Sequence, residues 1–127
     1  IAPHINLTSE FSSLKSKKHI KIWLPVKYLS KEKKYKKNWE FTSDSIACWL
    51  YSKMNSSGVI FVKSLSFEKK KSLKILDLQN KGILDKNILS YVSKKSCLKI
   101  VGPEVLQLLH EKDNWFEVIE NIKSIKL

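Results

Sequence analysis

Residues 59–78 read VIFVKSLSFEKKKSLKILDL, and the fold class turns on how this stretch divides. Val59, Phe61, Leu65 and Phe67 fall on one side of an extended chain, with Lys63 interrupting. Alternation of this kind is the period of a half-buried strand. Glu68-Lys69-Lys70-Lys71 is a polar turn, and Ser72 to Leu78 reads as the next strand. Two strands separated by so short a polar turn predict a hairpin.

Upstream of this stretch, Thr42 or Ser43 reads as a helix N-cap, with Asp44 in the first turn, where a carboxylate favours the helix dipole. Ile46, Ala47, Leu50 and Met54 share one face of that helix. Asn55-Ser56-Ser57-Gly58 ends it, with Gly58 suited to a left-handed cap. Earlier still, His19 to Leu29 alternates. Ile20, Ile22, Leu24, Val26 and Tyr28 lie on one face, and Lys21, Trp23, Pro25 and Lys27 on the other. This predicts a strand that is an edge, or bends, at Pro25, which has no N–H to donate. Residues 1–18 are polar and poorly patterned, with Phe11 and Leu14 able to anchor a short helix.

Downstream, Lys81-Gly82 breaks the pattern, and Asp85 can cap a helix carrying Ile88, Leu89 and Val92. Cys97 to Val101 reads as a short apolar strand. Gly102-Pro103-Glu104 starts a helix, because proline at the first helical position loses no needed N–H. Val105, Leu106, Leu108 and Leu109 give it a core face, and Asp113-Asn114 can break it. Trp115, Phe116, Val118, Ile119, Ile122 and Ile125 then continue an amphipathic pattern toward the end.

The order is thus β-α-β-β-α-β followed by one or two helices. This is the α+β, ferredoxin-like split βαβ order: an antiparallel sheet with helices on one face and the other face open. The expectation is one domain over residues 1–127, with 1–18 as a poorly patterned N-terminal segment and 103–127 as a C-terminal helical extension. The stretch from Leu73 also resembles the end of a STAS domain. Leu76-Asp77-Leu78 would end a strand, and Leu98-Lys99-Ile100-Val101-Gly102-Pro103 would lead into the last helices. That resemblance covers under half the chain, spans too few residues between its two pieces and has no specific motif, so it assigns no family.

Composition narrows the function classes. The chain has 127 residues, 43% of them hydrophobic, with four Trp, four Tyr and five Phe, which is enough apolar area to fold. Three Gly and three Pro exclude collagen-like and linker-like classes. No apolar run approaches the ~18–20 residues of a membrane span. Ile1–Glu10 has no basic stretch followed by an apolar one, as a signal peptide would. Cys48 and Cys97 lie far apart in apolar segments, outside any C-x-x-C pair, and read as buried free thiols of a reducing, cytoplasmic compartment.

Charge carries the strongest signal. The formal net charge is +12, and every basic residue is lysine. From Lys15 to Lys37 there are ten lysines and one acid; from Glu104 to Leu127 there are five acids and three lysines. A basic surface suits an anionic partner. A lysine-rich, arginine-free composition also arises from an AT-rich genome without any such partner. Lysine lacks the planar fork that reads guanine, so backbone contacts are expected.

The candidate nucleic-acid-binding residues are Lys21, Trp23, Lys27, Lys31, Lys33, Lys34, Tyr35, Lys36, Lys37 and Trp39. Lysines neutralise phosphates while interleaved rings stack on bases. The platform is half present, because the stretch Ser72–Leu78 has no aromatic residue. The expected partner is RNA or single-stranded nucleic acid. A second expectation is a protein–protein assembly module in which the basic strip meets an acidic protein and the Trp115-Phe116 helix docks.

A third expectation is a ribonuclease or metal-dependent, toxin-like nuclease. Its candidates are His19, His110 and Asp77, with His4 in the irregular N-terminal segment and Asp44 as a possible second carboxylate beside Lys81. The histidine spacing is uninformative, and His110 is also explained by a helix C-terminus. A binding role is favoured over an enzymatic one, and no metal site or cofactor is expected. No glycine-rich phosphate loop, nucleophile elbow or H-E-x-x-H motif occurs.

Overall fold

The computed structural model describes residues 5–14, 20–31, 42–67 and 73–127. Within them the chain is a mixed α+β protein with two small sheets. The sequence reads as a single domain; the contacts divide it into two compact units, Ile1–Asn38 and Trp39–Leu127.

The first unit contains β1 (Ile5–Thr8), α1 (Phe11–Leu14), β2 (Ile20–Trp23) and α2 (Val26–Leu29). β1 and β2 pair in parallel, with Ile5 opposite Ile20 and Leu7 opposite Ile22. The long strand expected over His19–Leu29 stops at Trp23. Pro25 instead occupies the N-cap of α2, and its carbonyl accepts from the amides of Tyr28 and Leu29. The expected faces of this strand are also reversed. Trp23 packs edge-on against Phe11 and Tyr28, with ring centroids at 6.4 and 6.2 Å, and Phe11 stacks on Tyr28 at 5.1 Å. Ile20 and Ile22 are 55% and 48% exposed. The three rings are partly buried against one another, and Leu29 of α2 is buried.

The second unit begins with α3 (Ser43–Lys53), β3 (Val59–Val62), β4 (Leu73–Lys74), α4 (Ile75–Asn80) and a 3₁₀ turn over Lys86–Ser90. It continues with β5 (Leu98–Val101), α5 (Val105–Glu111), α6 (Trp115–Asn121) and β6 (Lys123–Lys126). The four-stranded sheet has the order β3-β5-β6-β4. β3 pairs in parallel with β5, β5 antiparallel with β6, and β6 in parallel with β4.

This arrangement corrects the expected ferredoxin-like, antiparallel order in three places. The predicted hairpin over residues 59–78 is absent, since β3 and β4 lie at opposite edges of the sheet. Ser72 lies outside the described residues, and of residues 73–78 in the expected Ser72–Leu78 strand only Leu73–Lys74 is extended. Asp77 stands where alternation after Leu73 and Ile75 needs an apolar residue. Ile75, Leu78 and Gln79 carry helical spacing, and they are the buried residues of α4. Leu76-Asp77-Leu78 therefore lies in a helix and not at the strand end that the STAS resemblance implies. The C-terminal extension is not helical throughout either, because Lys123–Lys126 forms the strand that bridges β5 and β4.

α3 starts as read, with Thr42 as N-cap accepting from the Asp44 amide at 3.4 Å. Its buried residues are Asp44, Ser45, Cys48 and Trp49, which rotates the inward face away from Ile46, Ala47, Leu50 and Met54. The left-handed glycine is Gly82, at φ 66°, just after α4; Gly58 does not adopt that conformation. One core cluster includes Cys48, Phe61, Phe67, Ile75, Leu78, Ile88, Leu98 and Ile100. A second joins Val101, Val118 and Ile122, with Val105 and Leu108 packed against it. Among the described residues, no helix is long and apolar enough to cross a membrane.

Candidate functional site

Two places in the fold gather chemistry-bearing side chains. The first is a polar pocket of the second unit, about 350 Å³ in volume, lined by Thr42, Asp44, Lys63, Gln79, Asp85 and Lys86 among others. α3 supplies Asp44, the residue after β3 supplies Lys63, and the loop between α4 and the 3₁₀ turn supplies Asp85. Lys63 Nζ donates to both Asp44 carboxylate oxygens, at 2.8 and 2.7 Å. Both side chains are largely withdrawn from water, at 22% and 11% exposure.

Asp85 acts as an acceptor hub. The Thr42 amide and hydroxyl donate to it at 3.2 and 2.7 Å, and the Ser45 amide at 3.1 Å. The Ser45 hydroxyl donates to its other oxygen. Gln79 Nε2 donates to the Asp85 carbonyl at 2.8 Å, which fixes the loop. Burial pushes the nearby Cys48 thiol up to about 12, with the Asp85 and Asp44 carboxylates adding to the shift. Burial and Asp85 likewise raise Tyr91.

This pocket brings together two carboxylates and a lysine, the residue types that phosphodiester hydrolysis with Mg²⁺ requires. Both carboxylates, however, already meet protein donors: Lys63 Nζ bridges the two oxygens of Asp44, and Thr42 and Ser45 donate to Asp85. Among the described residues, no three His, Cys, Asp or Glu side chains group as a metal site would need. The hydrogen bonds of the cluster fasten the loop after α4 and the residue after β3 to α3.

No family model, curated protein or solved structure matches this chain. The reading of its function therefore rests on its own residues.

The second place is the lysine-rich first unit. Of the candidate binding residues, Lys21, Trp23, Lys27 and Lys31 are described. Lys33, Lys34, Tyr35, Lys36, Lys37 and Trp39 lie outside the described residues. Lys27 in α2 and Lys31 just past its C-cap are both exposed. Lys21 shares the half-buried face of β2 with Trp23. Trp23 was expected either to stack on bases or to pack within the protein, and its ring packs against Phe11 and Tyr28.

The catalytic candidates do not come together. His110 is exposed in the last turn of α5, and Asp77 is exposed on α4, outside the pocket lining. His4 and His19 lie outside the described residues. Sequence reasoning missed the partners of Lys63 and Asp85. The available signals were a lysine interrupting an apolar strand and an aspartate read only as the cap of its own helix.

Proposed function

We propose that this chain binds RNA or single-stranded nucleic acid through lysine–phosphate contacts of its N-terminal unit. The observation that supports this reading is the run from Lys15 to Lys37, with ten lysines against one acid. Exposed Lys27 and Lys31 supply two of the contacts, and Lys33, Lys34, Lys36 and Lys37 extend them. The ring of Trp23 is used inside the unit, so the reading rests on charge and predicts weak sequence preference.

The test is fluorescence anisotropy with labelled single-stranded RNA, single-stranded DNA and duplex DNA at two salt concentrations, with a gel run on the same samples. About six phosphate contacts to a single strand predict a roughly 300-fold loss of affinity for a fourfold rise in salt. Tight binding that ignores salt contradicts the proposal, as does no binding at low salt. Cleaved ligand moves the assignment to a nuclease.

A second reading, a protein–protein assembly module, has its own support. Both units expose large apolar side chains: Leu7, Ile20, Ile22 and Val26 in the first, and Leu106, Leu109, Trp115 and Phe116 in the second. Grouped exposed apolar residues mark interaction surfaces. This reading predicts little nucleic-acid affinity and loss of partner capture on Trp115→Ala.

A further inference from the structure

We infer that the acidic tip of the α5–α6 hairpin docks the lysine-bearing aliphatic face of a second copy of this chain. The hairpin has more apolar surface than its own unit uses. Val105, Leu108, Val118 and Ile122 face inward with Val101. Leu106, Leu109, Trp115 and Phe116 remain 63%, 46%, 56% and 80% exposed. A surface helix needs only one apolar stripe. Leu106 and Leu109 are three apart and share a face of α5. Leu109, Trp115 and Phe116 flank the connection of residues 112–114, so they lie at one end of the hairpin.

The charge around this surface selects its partner. Glu111, Asp113, Glu117 and Glu120 are all exposed on the same two helices or their connection. Residues 104–127 hold five acids and three lysines in a chain whose net charge is +12. Two such surfaces repel each other, which disfavours pairing of α6 with its own copy. The matching partner is apolar and basic.

The first unit presents that chemistry. Leu7 and Ile22 are register neighbours across β1 and β2, and Ile20 lies two residues along on the same face. All three are exposed, because the aromatic cluster sits with Trp23 on the opposite face. Leu24 and Val26 extend the apolar run, and exposed Lys27 and Lys31 follow it. Exchange of these contacts in both directions between two copies closes the assembly as a dimer. The inference goes beyond nucleic-acid binding, and its test is made without nucleic acid.

The experiment is sedimentation equilibrium of the full chain, freed of nucleic acid, over a wide concentration range at low and high salt. The expected mass rises from 14.8 kDa toward twice that value at low salt, and the association weakens as salt is added. Phe116→Ser, Glu120→Lys and Leu7→Ser each weaken the dissociation constant about tenfold or more, as loss of an interface anchor or charge does. All three positions are exposed, so circular dichroism is expected to be unchanged. A monomer at every concentration overturns the inference. So does a dimer indifferent to salt and to these substitutions.

Discussion

The Asp85 carboxylate holds the start of a helix that lies 40 residues earlier in the chain: the Ser45 amide donates to its Oδ2 at 3.1 Å. The first amides of a helix have no partner within the helix. Thr42 satisfies the Asp44 amide at 3.4 Å, and Asp85 takes those of Thr42 and Ser45 together with both hydroxyls. One carboxylate thereby fastens the loop after α4 to α3.

Asp85→Asn keeps the shape but turns one acceptor into a donor facing other donors. The expected loss is about 1–3 kcal/mol, the range for a charge-assisted bond left unmade. Urea unfolding reads this as a lower midpoint at constant slope. Exposed Asp77→Asn is the control and is expected to stay within about 0.5 kcal/mol. Equal midpoints for the two variants would sink the clamp.

The Asp44–Lys63 pair ties α3 to the end of β3, with both carboxylate oxygens within 2.8 Å of Nζ. Lys63→Met leaves a mostly buried carboxylate without its counter-charge, and the expected cost is about 1–3 kcal/mol. Asp44→Asn in the same chain removes the stranded charge, so the double variant loses less than the sum of the singles by about 0.5–3 kcal/mol. Strict additivity in a double-mutant cycle would show that the pair contributes nothing.

The local signals were legible. Thr42 with Asp44 and Gly102-Pro103-Glu104 each mark a helix start through their own neighbours, whereas Asn114, read only as a break, is the N-cap of α6. Asn114 both accepts from the Glu117 amide at 3.1 Å and donates to its carboxylate at 2.9 Å. What failed were stretches whose pattern fits two periods. Leu73 and Ile75 suit a strand, while Ile75, Leu78 and Gln79 suit a helix. Ile122 and Ile125 are three apart and read as helical, but pairing with β5 and β4 makes Lys123–Lys126 a strand. At residues 20–23 the alternation was correct, but its inward face was not, because the deciding rings, Phe11 and Tyr28, lie outside the strand. The polar clamp was illegible for a similar reason. Lys63 and Asp85 meet partners 19 and 40 residues away, and only tertiary structure sets that pairing.

Glu104 gives stability a defined acid dependence. Burial opposes its ionisation, yet its own amide and those of Gly102 and Phe67 hold the carboxyl below its ordinary value of 4.5. The Gly102 and Phe67 amides donate to Oε1, each at 3.0 Å. A Cβ at Gly102 would stand 1.9 Å from the Leu65 carbonyl oxygen, so this crossing admits no side chain there. A depressed folded value contributes stability above the unfolded value and loses it as pH falls through the folded one. At neutral pH, Glu104→Gln is therefore less stable than the parent chain. Below about pH 4.5 the gap narrows. Urea midpoints measured across this range check it, and parallel curves for the two proteins would refute the assignment.

The two cysteines separate by environment. Both are free thiols; Cys48 is buried in the core beside Phe61 and Ile88, whereas Cys97 is exposed, contrary to the expectation that both are buried. Only the thiolate reacts with alkylating reagents. With Cys48 pushed up to about 12, almost none of it is ionised at mildly alkaline pH, and its burial blocks access as well. Native protein treated with iodoacetamide at such a pH is therefore expected to gain one adduct, at Cys97, and urea-unfolded protein two. Peptide mass spectrometry locates them. Asp85→Asn lowers the barrier at Cys48 in two ways: it removes a nearby negative charge and loosens α3, so slow labelling of Cys48 is expected in that variant. Equal labelling rates for both cysteines in the native parent chain would place Cys48 outside the core.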